Sequence, residues 1–415
     1  MTLLDAPAAT ASDRRAGLPV AIIGAGPIGL AAAAQLLERG LEVVVYESGP
    51  SAGSAIREWG HTRLFSGWEF LVDAASVRLL EATGWVRPDG VPDGSQLVEL
   101  YVQPLANVLG DRVRYDSRVT AVSRQGMDRT RSAGRADAPF LLRINGTTDV
   151  LAASVIDASG TYDSPNGLVA GLDLTDPAVA AHVTHGLPDV LGRDRALFAG
   201  KHTLVVGAGH SAANSLIALA ALPDSTITWA IRNASPVRVF TPDDELAGRA
   251  SLGDRVRQLV RDGRITIVDG FEIDSITAGP VVTGRRNGEP LTLKPDVIVA
   301  ATGFRPNLAM LREIRLSLDD VVEAPLKLAS LIDPNLHSCG TVEPHGVVEL
   351  AQPEPNFFIA GMKSYGRAPT FLLATGYEQV RSIADELAGN HDAARIVQLQ
   401  LPATGACSTD TACCS

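Results

Sequence analysis

Cysteine is scarce in this 415-residue sequence: there are four, Cys339, Cys407, Cys413 and Cys414, and the last three crowd the C-terminal end. A long chain with its thiols gathered there has no disulfide framework to hold its fold. Also missing is any uncharged apolar run near the roughly 20 residues that span a bilayer. Positive charge is short: 36 Lys and Arg stand against 47 Asp and Glu, a net of −11. That balance disfavours a general nucleic-acid binder with its basic face, and it gives no pull towards an anionic membrane surface. Residues 1–17 lack the basic start and apolar stretch of a secretory signal. They read as a flexible leader, and the expected location is cytoplasmic. What is present, 46 % hydrophobic against 20 % charged residues, suits sizeable cores.

Leu18 to Gly24 reads as a buried strand, Pro27 to Arg39 as an Ala/Leu-rich helix, and Leu41 to Tyr46 as the next strand. Pro27 suits a first helical turn, where a missing N–H costs nothing. The pattern is βαβ, with parallel strands and a right-handed crossover. It returns at His202–Val206, followed by a small-residue turn, a helix through Leu222 and a strand at Thr226–Ile231. Two echoing segments, Val155–Gly160 and Val297–Gly303, bracket this second unit and mark where the chain leaves one domain and returns. Arg112–Asp149 alternates around a polar stretch and predicts a β-meander. A strand at Asn356–Gly361 and a helix at Pro369–Leu387 follow; from Pro402 the sequence turns small and polar, and residues 396–415 read as a flexible, cysteine-containing tail.

Gly24-Ala-Gly26-Pro27-Ile-Gly29 lies between the first strand and its helix. The first Gly makes the tight turn, the second admits a pyrophosphate to the backbone, and the third lets helix pack on strand. The helix N-terminus adds N–H groups and partial positive charge. Glu47 ends the next strand, where a carboxylate can hold ribose hydroxyls. In the second unit, Gly207, Gly209 and Ala212 take the three small positions, with Ser211 among them, and the following strand ends in Arg232 rather than an acid. A guanidinium can pair with a 2′-phosphate that a carboxylate would repel, so NADPH is preferred over NADH, with Arg238 able to assist. Two nucleotide sites in one chain call for different ligands, a resident flavin and a transient nicotinamide.

On GAGPIG with Glu47, GAGHSA with Arg232, the Ala301–Gly303 ATG and Gly361, the chain resembles the two-dinucleotide-binding-domain flavoproteins: the flavin monooxygenases and the glutathione and thioredoxin reductases. The resemblance implies an α/β fold of two Rossmann-like domains, glutathione-reductase-like, with the β-meander in the FAD domain. Its expected domains are 18–165 with 301–395 for FAD, and 166–300 for NADPH. It implies that the last helix aims its N-terminus, with Pro369, Thr370 and Phe371, at the flavin. Trp59, His61 and Arg63 are further candidates for the flavin surroundings, and Val119, Gly160 and Gly361 for holding FAD. No Cys-x-x-Cys or Cys-x4-Cys pair occurs in the body of the chain, so disulfide reduction through such a pair is not expected. The segments Trp59–Trp68, Leu336–Thr341 and Gly361–Leu373 resemble the flavin monooxygenases encoded in bacterial arsenic-resistance operons.

That resemblance implies an NADPH-dependent FAD monooxygenase using dioxygen, through a flavin hydroperoxide, on a soft nucleophile such as a trivalent arsenical. The alternatives are a reductase passing electrons to a quinone, thiol or protein partner, and a non-catalytic arsenic or redox sensor. Candidate catalytic residues are Cys339, Lys363 and Tyr365. Cys339 reads equally as a buried small residue, and Lys363 as a partner for reduced-flavin charge or a surface cation. Cys407, Cys413 and Cys414 are candidate ligands for As(III) or another thiophile, a redox relay, or inert thiols.

Overall fold

The computed structural model describes residues 14–172, 174, 176–234, 247–333, 342–369 and 371–399. Two five-stranded parallel sheets organise them. The first runs, edge to edge, Phe357–Ile359, Ser154–Asp157, Val20–Ile23, Val43–Tyr46 and Val113–Arg114. Val20–Ile23 and Ser154–Asp157 are buried throughout, as apolar parallel strands covered on both faces must be. Helix Pro27–Glu38 buries Ala31–Ala34. These small side chains let it lie close to the sheet on one side and to helix Leu373–Leu387 on the other.

The second sheet runs Thr266–Val268, Thr226–Ala230, His202–Val206, Val297–Ala300 and Val183–His185. Of the two echoing segments, Ser154–Asp157 therefore belongs to the first sheet and Val297–Ala300 to the second. Directly after them the chain pairs with itself. Asn166 N–H donates to Gly303 O (2.9 Å), Arg305 N–H to Ser164 O (2.9 Å) and Thr302 Oγ1 to Asn166 O (2.7 Å). The outgoing and returning connections are thus one double link.

The meander appears as antiparallel strands Val119–Arg124, Phe140–Ile144 and Thr148–Ala152. A second three-stranded antiparallel sheet, Phe271–Thr277, Val281–Arg286 and Glu289–Leu293, was not anticipated. Its signal was there: Asn287-Gly288 takes φ of 51° and 89°, the left-handed pair of a tight hairpin. The helix expected from Pro369 begins instead at Leu373, after Leu372 in extended conformation. The Phe371 ring packs edge-on against Tyr365 at 5.2 Å, which holds the chain out of helical shape before that point. Among the described residues no helix is long and apolar enough to cross a membrane.

Candidate functional site

The chain leaves the central strand Val20–Ile23 in both directions across the first sheet, so the carboxyl ends of Val20–Ile23 and Ser154–Asp157 flank a topological switch point, where open α/β sheets bind ligands. Gly24 sits there with φ +100°, and a Cβ on it would lie 2.8 Å from Ala158 O. A Cβ on Gly29 would lie 1.9 Å from Gly24 O, so only glycine lets the helix close on the turn. Gly26 is different: its φ is −80° and an added Cβ would meet nothing within 4 Å. The protein itself has no use for that glycine, which leaves room for a phosphate to approach the backbone at the helix start, with Pro27 next. Glu47 is buried against the same turn, accepting from Ala25 N–H (2.7 Å) and Gly49 N–H (2.8 Å). These residues fit a dinucleotide pyrophosphate and ribose.

Around this crevice the other expected residues are scattered. Gly160 (φ +70°) ends the turn that faces Gly24. Gly361 (φ +69°) packs on Ile28 of the first helix. Phe371 lies between Tyr365 and Gly376, while Thr370 is outside the described residues. Val119 is a buried meander residue. Trp59 is half-buried, its ring edge against Gly94, and His61 and Arg63 are exposed. Lys363 is no surface cation: it is 2 % exposed and its Nζ donates to Asp157 Oδ2 at 2.6 Å and Ser159 Oγ at 3.0 Å. Tyr365 is wholly buried and burial raises its pKa, with Thr375 pulling the other way. A phenol so placed is a poor proton donor to solvent.

A network that the sequence reading missed sits behind Gly361. Gln379 Oε1 accepts from Gly361 N–H (2.8 Å), while its Nε2 donates to Ser364 Oγ (2.9 Å) and to His345 Nε2 (2.8 Å). That bond makes Nδ1 the protonated nitrogen of His345, which donates to Glu343 O (3.0 Å). Burial pushes the His345 pKa down, against the pull of Glu349 and Glu378. The unfolded chain, at about 6.5, then takes up this proton first as pH falls. Stability from the neutral imidazole is full above about pH 6.5 and is lost below it, by at most about 1.4 kcal/mol per unit of pH. Thermal unfolding compared at pH 7.5 and 5.5 should show this loss, reduced in His345→Gln.

At the second turn, Gly207 has φ +129° and an added Cβ would lie 2.2 Å from Ala301 O. Gly209, like Gly26, would meet nothing within 4 Å, and Ala212 is buried. Ser211 lies in the first turn of helix His210–Ala220. Arg232, two residues past strand Thr226–Ala230, is exposed and has no ion-pair partner among the described residues. This turn faces the first unit. The Phe65 ring meets His210 edge-on at 5.6 Å, and Arg193 Nη2 donates to Glu58 O at 3.2 Å. The second crevice thus has the same construction as the first, with a cation in place of the carboxylate.

Cys339, Cys407, Cys413 and Cys414 lie outside the described residues, as does Arg238. No cysteine occurs among the described ones, nor any cluster of three His, Cys, Asp or Glu side chains that could hold a metal ion.

Known proteins place this architecture. Bacilliredoxin reductase Bdr of Bacillus subtilis is 24 % identical over 318 residues, 76 % of this chain and 86 % of that protein. The bacillithiol disulfide reductase Bdr (YpdA) from Bacillus cereus superposes with a TM-score of 0.68 at 22 % identity, over 90 % of this chain and 99 % of its own. A mutant flavin monooxygenase from Stenotrophomonas maltophilia gives 0.61 at 20 % identity, over 90 % and 98 %. Both sides of the expected resemblance, reductase and monooxygenase, share the fold, and no relative named here is an arsenic-linked enzyme. The model of one family, pyridine nucleotide-disulphide oxidoreductase, matches residues 21–327. Because that match takes in more than half of the chain and both glycine-rich turns, this protein belongs to the pyridine nucleotide-disulphide oxidoreductase family.

Proposed function

We propose that the chain is an NADPH-dependent FAD reductase that passes electrons to a small disulfide, a quinone or a protein partner. The observation that carries this reading is the pair of equivalent crevices, each with an open glycine at a helix start (Gly26, Gly209), in a member of this family. FAD is assigned to residues 18–165 with 301–395, where Glu47 is set against the turn, and NADPH to 166–300, where Arg232 is exposed. When bound, the two cofactors supply the hydride and electron chemistry. The chain positions them through the double link at Ser164–Arg305 and excludes water from the buried sides of both turns. For a disulfide acceptor the balance is NADPH, one proton and the disulfide in, NADP+ and two thiols out. The curated relative's name, a reductase, supports electron transfer over oxygenation.

The test is NADPH oxidation by the yellow, FAD-loaded protein under argon, with a panel of disulfides and quinones. Turnover without oxygen is the expected result. Consumption that needs dioxygen and rises with a sulfur, nitrogen or As(III) compound would replace this reading with the monooxygenase. Arg232→Ala is expected to raise KM for NADPH by roughly 10- to 100-fold, the value of one charge-assisted contact of about 1.5–3 kcal/mol. KM for NADH should not change. A parallel rise for both nucleotides would remove Arg232 from 2′-phosphate recognition.

A further inference from the structure

A fully buried lysine is rarely kept for stability, since an apolar pair of similar volume is often as stable as a buried ion pair. Lys363 and Asp157 are such a pair, their side chains 1 % and 0 % exposed. Their position in the fold suggests what they do. Asp157 ends a strand at the switch point of the first sheet, and Lys363 follows the neighbouring strand Phe357–Ile359. Asp157 Oδ1 accepts from Ser159 Oγ (2.7 Å) and Ser159 N–H (3.1 Å), while Oδ2 accepts from Lys363 Nζ. Ser159 Oγ in turn accepts from Lys363 Nζ. The three side chains form one closed set of bonds around the turn Ala158–Gly160. That turn is the wall against which Gly24 lies, 2.8 Å from Ala158 O for an added Cβ. An ammonium has three N–H donors, and the protein accepts two of them here.

We propose that Lys363, locked by Asp157 and Ser159, is a positioning residue for the flavin nucleotide. It fixes the Ala158–Gly160 wall of the first crevice, and because Asp157 cancels its charge it acts through those bonds. The inference rests on the assignment of FAD to the first unit. Its logic separates two demands: packing needs only the volume of the pair, whereas ligand placement needs the bonds.

The variants are Lys363→Met, the neutral double variant Asp157→Asn with Lys363→Met, and Ser159→Ala, each stripped of flavin and titrated with FAD. Lys363→Met leaves a buried carboxylate without its cation and is expected to be poorly folded. The double variant removes that charge, and its circular dichroism and thermal midpoint are expected to match those of the wild type. Its FAD Kd is expected to rise at least 10-fold. Because the removed pair carries no net charge, oxidised and reduced FAD are expected to lose affinity alike, leaving the midpoint potential unchanged. Ser159→Ala, which loses only the hydroxyl, should weaken FAD about threefold. Wild-type FAD affinity in a folded double variant would overturn the proposal, as would an unchanged affinity in Ser159→Ala should the double variant not fold. Wild-type protein that takes up no FAD would instead overturn the cofactor assignment itself.

Discussion

Gly207→Ala is expected to lower NADPH-driven flavin reduction by more than 100-fold while the flavin stays bound. The added methyl would sit 2.2 Å from Ala301 O, at φ +129°, a backbone conformation that alanine avoids. The turn has nowhere to move. Gly207 N–H donates to Ala230 O, and Trp229 Nε1 donates to Gly207 O at 2.8 Å, so strand Thr226–Ala230 holds it at two points. Ala301 is itself bonded to Val206 O. Relief must therefore displace the helix start at Gly209–Ser211, where the pyrophosphate is expected. Gly209→Ala is the informative partner: its methyl meets no protein atom, so stability should hold while NADPH binding falls. Rapid-mixing absorbance of the flavin under argon measures both, and dithionite should still reduce the flavin in each. Normal NADPH reduction in Gly207→Ala would remove this turn from the hydride donor's site.

The largest expected loss of stability lies far from either crevice. Glu354 is buried between Arg124 and Arg135, accepting from Arg124 Nε at 2.8 Å and Arg135 Nη2 at 2.8 Å, with Arg315 N–H on the same carboxylate at 3.2 Å. Arg124 also lies 3.6 Å above the Phe140 ring. Burial alone would raise the Glu354 carboxyl, but the Arg135 and Arg124 bonds outweigh it and hold its pKa below the ordinary value. Glu354→Ala removes the acid that pairs with two buried guanidiniums, and losing one partner of such a set costs about 3–5 kcal/mol. Because the set joins the meander to the segment before strand Phe357–Ile359, urea unfolding followed by flavin release should shift sharply. Glu354→Gln, which keeps the acceptor oxygen, should lose less. An Ala variant as stable as the wild type would show that the two arginines find other acceptors.

Much of the first crevice was legible because its requirements are local. Gly24, Gly26 and Gly29 are spaced by the sterics of one turn, and Glu47 by the length of one strand. The meander was readable from alternation, and the second meander could have been read from Asn287-Gly288. The start of helix Leu373–Leu387 was misplaced because Pro369 is a valid helix opener, whereas the Phe371–Tyr365 contact that delays it joins side chains whose packing no local pattern states. Lys363 was open between surface and site for the same reason. Its partner Asp157 is 206 residues away, and nothing near Lys363 in the chain announces a buried carboxylate.

The sequence by itself determined the two dinucleotide turns, the order of their strands and the carboxylate and cation that follow them, since each depends on backbone geometry within some twenty residues. Only the tertiary structure decided which strands share a sheet, how the two connections pair at Ser164–Arg305, and that Lys363 belongs to Asp157. Those are long-range pairings, set by which surfaces can be buried together and which buried charges then need each other.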